Sequence, residues 1–302
     1  MMLAIPNARA EGGEAPGLPA ATSSTSGSEA IPEVTVTANR IELEKRVARY
    51  VNQIAAAENG DEGLARWQVP VCPLVSGLPR QDGEFILGRL SQIAHVAAVP
   101  LADEHCRPNL YILVTDQPEE LLRGMEQRNR AYTFGYDASS GSYPPTETKA
   151  GVVDEFIKTP RAVRAWYNSA EKDAWGNPIR SCPYRPGEFA QCVATDGARA
   201  VLSTVWTIGR AFIIVDQKRL HQVKLGQLAD YVAMTGFAKL KPDARLGNAP
   251  TILTLFTGAP EAAPTAMTDW DQTFLKYLYA TDQISKHQRG QIARSMARDI
   301  AK

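Results

Sequence analysis

The 302-residue sequence has neither a surplus of charge of one sign nor a long apolar run. Lys and Arg total 33, and Asp and Glu also total 33, so the formal net charge is zero. A general nucleic-acid binder usually carries a basic surplus, so this balance argues against nucleic acid as a partner. No stretch approaches the roughly 18 consecutive apolar residues of a membrane-spanning helix, so we expect no transmembrane segment. With 44% hydrophobic and 22% charged residues, the composition is typical of a globular protein.

The signature motifs of several well-marked enzyme classes are also missing. The sequence contains no P-loop and none of the patterns G-x-G-x-x-G, H-E-x-x-H, G-x-S-x-G or the EF-hand loop. These absences argue against the best-marked nucleotide enzymes, zinc peptidases and α/β-hydrolases. Closely spaced acidic residues do occur, as in Asp269 and Asp271, but such pairs are more often solvated or helix-capping than catalytic.

The N-terminal thirty residues predict export. Residues 1–10 end in Ala8-Arg9-Ala10, a small-x-small pattern of the kind that signal peptidase cleaves after. The apolar part before it is too short for a complete signal peptide. We therefore interpret residues 1–10 as the remnant of a signal peptide whose true start codon lies upstream. The alternative is that the resemblance to a cleavage site is accidental. Residues 11–30 contain no aromatic, Lys or Arg residue, which predicts a disordered linker before a single α+β domain at 31–302.

The four cysteines point to the same compartment. Cys72, Cys106, Cys182 and Cys192 form no C-x-x-C pair and have no zinc-finger histidine spacing beside them. An even number of cysteines at turn-like positions fits disulfides in an oxidising compartment, which predicts a periplasmic or secreted protein. The pairing 72–106 and 182–192 is the most local of three possible pairings, and four reduced thiols are the alternative.

Hydrophobic periodicity predicts an α+β fold in which a small mixed sheet is covered by helices and the C-terminal part is helical. The predicted strands are 31–40, 68–78, 109–115, 163–167, 200–207 and 211–215. The last two form a predicted hairpin across Ile208-Gly209-Arg210. The predicted helices are 40–57, 82–99, one from Pro118, 217–238, and two that begin at the capping boxes Thr268/Asp271 and Ser285/Gln288. The Gly-, Ser- and Pro-rich stretch 132–160 is interpreted as a surface excursion.

The predicted helix 217–238 carries the candidate binding residues Asp230, Gln227 and His221. At 100° per residue, Asp230 shares a face with small residues such as Gly226, while apolar residues cover most of the remaining surface. A carboxylate in such a place calls for a partner, a cleft or a shifted pKa. A water-lined pocket with convergent polar groups would favour an enzyme, and a dry, paired Asp230 would favour a scaffold.

Several segments together resemble a family of uncharacterised exported alphaproteobacterial proteins. They are ARWQVPVCPLVSGLP, CRPNLYILVT, GQLADYVAMTGFA, APTILTLF and TDWDQTFLKYLY, and the resemblance covers most of residues 34–282. Related domains look like zinc-peptidase folds, so the resemblance implies a zincin-like architecture. If residues 226–230 occupy the H-E-x-x-H position, both metal histidines and the general-base Glu are absent. The resemblance therefore implies a pseudo-peptidase, and we expect neither a metal nor another cofactor.

Three functions follow as hypotheses. The first is a non-catalytic exported envelope protein with a binding or scaffolding role, whose partner is an unknown envelope protein or a small ligand. The second is a hydrolase with an unmarked active site around Asp230 and polar residues of 132–160. The third is strand donation to an envelope partner through residues 33–37, which requires these residues to be free.

Overall fold

The computed structural model describes residues 32–58, 63–137, 146–173, 204–257 and 262–302. The fold described below belongs to the compact unit Asn39–Lys302, and of the residues before it only 32–38 are described. The predictions for residues 1–10 and 11–30, and the predicted bridge between Cys182 and Cys192, lie outside the described residues.

Seven α-helices and eight strands make up the regular structure of these described ranges. The helices are α1 Pro32–Ile54, α2 Arg80–Ala97, α3 Pro118–Phe134, α4 Ala150–Lys158, α5 Leu225–Phe237, α6 Asp269–Ala280 and α7 Gln288–Ile300. The strands are β1 Ala57–Glu58, β2 Gly63–Leu64, β3 Pro73–Ser76, β4 Leu110–Thr115, β5 Tyr136–Asp137, β6 Thr146–Glu147, β7 Val163–Asp173 and β8 Thr204–Asp216. None of the helices in these ranges is both long and apolar enough to cross a bilayer.

Four strands form the central sheet in the order β3-β4-β8-β7. β3, β4 and β8 run parallel, and β7 pairs with β8 in the antiparallel direction. The sheet is therefore small and mixed, and the predicted α+β class is confirmed. β7 occupies one outer position of this sheet: it pairs with β8 on one side, and none of the described strands lies on its other side.

Helices cover both faces of the sheet, and the residue alternation along the strands explains why. On β8, Ala211, Ile213 and Val215 belong to a large apolar core that includes residues of α1, α2, α5, α6 and α7. Phe212 and Ile214 point the other way into a smaller core with residues of α3 and α4. Because successive strand side chains alternate between faces, a run that is apolar at every position predicts a strand buried on both sides.

The predicted hairpin at Ile208-Gly209-Arg210 is wrong, because β8 continues straight through these residues. In its pairing with β7, Asn168 lies opposite Arg210 and Ser169 lies opposite Ile208. Gly209 is thus the extra residue of a β-bulge, a position where a strand tolerates glycine better than most interior positions. A glycine between two β-prone runs is a signal shared by bulges and turns, and the partner strand decides between them.

Three other boundaries differ from the predictions. Residues 32–40 are the start of α1 rather than a strand, since β-branched residues disfavour a helix only weakly and Pro32 sits at its first position. The predicted helix 217–238 is a short 3₁₀ turn, Gln217–Arg219, followed by α5 from Leu225. Within 132–160, the structure contains the end of α3 and the whole of α4.

The two predicted C-terminal capping boxes have different outcomes. Thr268 and Asp271 form the box as predicted, with reciprocal side-chain bonds to main-chain N–H groups at the start of α6. The box at Ser285 is wrong, because α7 is preceded by His287 with no side-chain cap. The Gln288 amide that the box requires donates instead to the carbonyl of Gln283, at 2.7 Å.

Candidate functional site

Asp230, the central candidate from the sequence, lies in a dry and fully paired environment. It is 1% exposed. The Arg89 guanidinium of α2 donates to it twice, from Nε to Oδ1 at 2.5 Å and from Nη2 to Oδ2 at 3.2 Å. The main-chain N–H of Met267 donates to Oδ2 at 2.6 Å. Asp230 therefore joins α5 to α2 and to the segment before α6, which is the arrangement that favours a scaffold.

Gln227 and His221 do not join Asp230 in a common cluster. The Gln227 side chain accepts from the N–H of Lys224 at 3.0 Å and donates to the carbonyl of Pro264 at 2.8 Å. His221 is exposed in the turn before α5. The part of the chain that the structure describes contains no group of three or more His, Cys, Asp or Glu residues able to hold a metal ion. A ligand-binding role for these three residues stays a prediction.

A second buried carboxylate, Asp271, has neutral donors around it. Its oxygens accept from the Tyr50 hydroxyl at 2.9 Å, the main-chain N–H of Ile252 at 2.7 Å and that of Thr268 at 3.0 Å. The Thr251 hydroxyl also donates to it. Burial raises the pKa of Asp271 above its ordinary value, since enclosure disfavours the charged form. The cluster holds α1, α6 and the 3₁₀ helix Ile252–Phe256 together, and with Asp271 0% exposed it is structural.

A Ser–Lys–Glu cluster links β7 to two other segments. The Ser169 hydroxyl donates to Glu58 Oε1 at 3.0 Å and accepts from Lys239 Nζ at 2.9 Å. Lys239 also forms an ion pair with Glu58. A lysine that activates a serine must present a neutral amine to it. Because Lys239 is already paired with a carboxylate, the geometry is that of a structural tie.

A groove with a mainly apolar lining lies beside the outer edge of β7 and has a volume of about 340 Å³. Residues 163–167 of β7 form one of its sides. Val152 and Phe156 of α4 line it from one helical layer, and Tyr231 of α5 and Leu246 line it from the other. Burial raises the pKa of Tyr231 to about 12, which reflects the apolar character of this surface.

Alternate residues of β7 turn their main-chain N–H and C=O groups towards this groove, away from β8. The N–H of Asp216 donates to the carbonyl of Ala162 at 2.9 Å, which sets the antiparallel register. Residues 164 and 166 then exchange hydrogen bonds with β8, and the N–H and C=O groups of Val163, Ala165 and Tyr167 face outward. Within the described ranges, no hydrogen bond reaches these outward main-chain groups.

Two arginines stand at the end of the groove where β7 begins. Arg161 is paired with Asp243, at 2.6 Å, and with the carbonyl of Pro242. Arg164 is only 5% exposed, and its Nε donates to the carbonyl of Thr159 at 2.8 Å. Its Nη1 has no partner among the described residues. Burial lowers the pKa of Arg164, so the enclosed guanidinium lacks part of the stabilisation that a charged group requires.

The groove was not foreseen from the sequence. The strand 163–167 was predicted, but its outer position depends on β8, which follows it some forty residues later. The opposite wall near Leu246 belongs to a Pro- and Gly-containing stretch that reads as an ordinary connection. One local feature points to the groove: the apolar residue Val152 on α4 is 50% exposed.

Comparison of this chain with protein-family models, with curated proteins and with solved structures found no match.

Proposed function

We propose that this chain is a non-catalytic binding protein of the bacterial envelope that holds an extended segment of a partner protein along β7. The unpaired main chain of Val163, Ala165 and Tyr167, set in an apolar groove, is the observation that carries the proposal. An extended segment added there would pair with these groups as a fifth strand of the sheet. Strand addition of this kind obtains affinity from main-chain hydrogen bonds and specificity from alternate side chains.

The two walls of the groove define the chemistry of the partner segment. Successive side chains of an added strand would point alternately towards Phe156 and Val152 and towards Tyr231 and Leu246. Both walls favour apolar side chains. At the end of the groove where β7 begins, Arg164 favours an acidic group, because a carboxylate would supply the acceptor that its Nη1 lacks.

A non-catalytic role is supported by the polar clusters already described. Asp230 and Gln227, around which an active site was hypothesised, are engaged in hydrogen bonds that join segments of the fold. Lys239 is ion-paired rather than free to activate Ser169. Residues 33–37, the hypothesised donor strand, belong to α1, so donation would require that part of the helix to unwind.

The envelope location is supported by the bridge between Cys72 and Cys106, which the structure contains. Structural disulfides persist in oxidising compartments such as the periplasm. Together with the export pattern at residues 1–10, the bridge makes the periplasm or the exterior the proposed location.

The proposal is tested with a library of eight-residue peptides that carry apolar side chains at successive positions and an acidic residue at one end. Fluorescence anisotropy with the full chain should identify binders. Val152→Asp places a charge on the wall of the groove at an exposed position, so it should weaken the best binder about tenfold or more without unfolding the protein. Val96→Asp, at a position 61% exposed on α2, is the matched control and should leave binding unchanged.

Two outcomes contradict the proposal. One is the absence of any binder in the library, and the other is equal weakening by Val152→Asp and Val96→Asp. Sedimentation of the free chain distinguishes a second occupant, another copy of the same chain. A dimer that Val152→Asp dissociates would assign the edge of β7 to self-association and overturn the assignment to a partner.

A further inference from the structure

A second, polar cavity of about 670 Å³ lies on a different part of the molecule from the groove. It is formed by residues around Arg66, by the facing ends of β7 and β8 at Lys172 and Val205, and by the turn after α6 that includes Gln283. Two basic residues, Arg66 and Lys172, line it, and Asp282 is its one acidic residue among the described residues.

Arg66 is the charged group of this cavity, and its guanidinium is incompletely satisfied. The residue is 4% exposed. Its Nη1 donates to the carbonyls of Leu278 and Thr281, at 2.7 Å for Thr281, and so caps the C-terminal end of α6. Its Nε and Nη2 are enclosed and have no partner in the described part of the chain. Burial lowers the pKa of Arg66 to about 10.

Unpaired donors of this kind are costly. Two carbonyls account for one nitrogen of a group that carries five N–H donors and a full charge. A buried cation normally has a carboxylate or another anion against it. The negative charge of Asp282 acts on Arg66 and partly opposes the lowering of its pKa. No carboxylate of the described residues hydrogen-bonds to Arg66, however, and the Asp282 carboxylate accepts from the N–H of Ile284 at 3.1 Å.

Two further donors belong to the same cavity. The Gln283 side chain accepts from Gln68 Nε2 at 2.5 Å, but its own Nε2 is buried without a partner. Lys172, at the end of β7, forms no ion pair within the described ranges. The Arg66 guanidinium, the Gln283 amide and the Lys172 ammonium therefore border one cavity, and each has N–H groups with no acceptor among the described residues.

We infer that this cavity binds a small molecule through an oxyanion group, a carboxylate or a phosphate, which pairs with Arg66. The ligand group takes the place of the missing acceptor, and Gln283 and Lys172 supply further donors. Because Nε and Nη2 are enclosed, entry requires the side chains around the guanidinium to shift. The inference is independent of the groove at β7, which shares no residue with this cavity.

The first experiment measures the Tm of the full chain against increasing phosphate and, separately, acetate, with chloride keeping the ionic strength constant. A specific site gives a saturable rise in Tm, since a ligand stabilises the folded state according to its occupancy. The phosphate and acetate arms show which oxyanion is preferred. A rise that is linear and equal for both ions is a general salt effect and would overturn the inference.

The second experiment uses Gln283→Glu, which supplies the missing carboxylate from within the chain. The variant keeps the oxygen that accepts from Gln68 and replaces the NH2 group, which has no partner among the described residues, with a second carboxylate oxygen. We expect its Tm to exceed that of the wild type without added anion, and the anion concentration at the midpoint of the Tm response to rise at least about tenfold. Gln127→Glu, exposed on α3, is the charge-matched control. An undiminished anion response in Gln283→Glu would contradict the assignment.

Discussion

Two buried carboxylates in this protein are stabilised in different ways. Asp230 pairs with the charged guanidinium of Arg89, whereas Asp271 accepts only from hydroxyl and main-chain N–H groups. Burial of a carboxylate costs several kcal/mol unless charges or hydrogen bonds offset it. Neutral donors offset the cost of burying the Asp271 carboxylate only in part. Burial is therefore the largest cause of its raised pKa.

The raised pKa of Asp271 predicts a specific pH dependence of stability. Since the folded state binds this proton more tightly than the unfolded chain, the contribution of the carboxyl group is complete below its ordinary pKa of 3.8. The contribution is lost as the pH rises through the folded pKa. We therefore expect the difference in free energy of unfolding between the wild type and Asp271→Asn to shrink as the pH rises from 3.5. Urea titrations of both proteins at several pH values measure it, and a difference that grows with pH would contradict the prediction.

At the scale of the elements, polar ties fix how the helices sit on the sheet. Asp230 of α5 holds both Arg89 of α2 and the main chain at Met267. The turn between β3 and α2 is equally constrained, because Gly77 has a φ of +89° and a Cβ atom there would lie 1.8 Å from the carbonyl oxygen of Val114. These contacts place α2 against α5 independently of the apolar packing between them.

Removing the tie should destabilise the fold. Asp230→Ala leaves the Met267 N–H without an acceptor and Arg89 without its partner, although the Arg89 side chain is 32% exposed and can regain water. We expect a loss of about 2–3 kcal/mol in the free energy of unfolding. Glu84→Ala breaks an exposed ion pair with Arg80 on the same helix and should change stability little. Equal losses in the two variants, measured by urea unfolding, would show that the Asp230 tie has no special role.

At the scale of the whole molecule, the bridge Cys72–Cys106 connects the entrance of β3 to the segment before β4. Its sequence separation is 34 residues. Asn109 supports the same junction, since its side-chain oxygen accepts from the N–H of Cys72 at 2.7 Å. The two parallel strands are thus joined covalently at the end where both begin.

The redox state of the protein follows from its proposed location. Cys72→Ser with Cys106→Ser should lower the free energy of unfolding by about 3–4 kcal/mol, the loop-closure value for a bridge of this span.

Protein isolated from its native compartment should show no free thiol when denatured without reductant. Mass spectrometry should then find the peptides of Cys72 and Cys106 linked, and those of Cys182 and Cys192 linked as well. Four titratable thiols would contradict the proposed compartment.

Features encoded within a few neighbouring residues were predictable. The apolar run 109–115 predicted β4, and the box at Thr268 and Asp271 predicted the start of α6. The bridge between Cys72 and Cys106 belongs to the most local of the three possible pairings of the four cysteines. The small mixed α+β sheet followed from the order of such segments. In each case the physical cause, a side-chain period, a cap or a short loop closure, acts within one stretch of chain.

The site depended on neighbours that are distant in sequence. Gly209 became a bulge because β7 pairs along the whole of β8, and residues 163–167 form an outer edge because no strand in the described part of the chain pairs beyond them. The sequence identified Asp230 as a carboxylate that needs a partner. Only the packing of α2 against α5 made Arg89 that partner. Strand order, edge position and buried pairing arise from contacts between segments far apart in the chain. Local propensity therefore determined the elements, and tertiary contacts determined which of their surfaces stayed exposed.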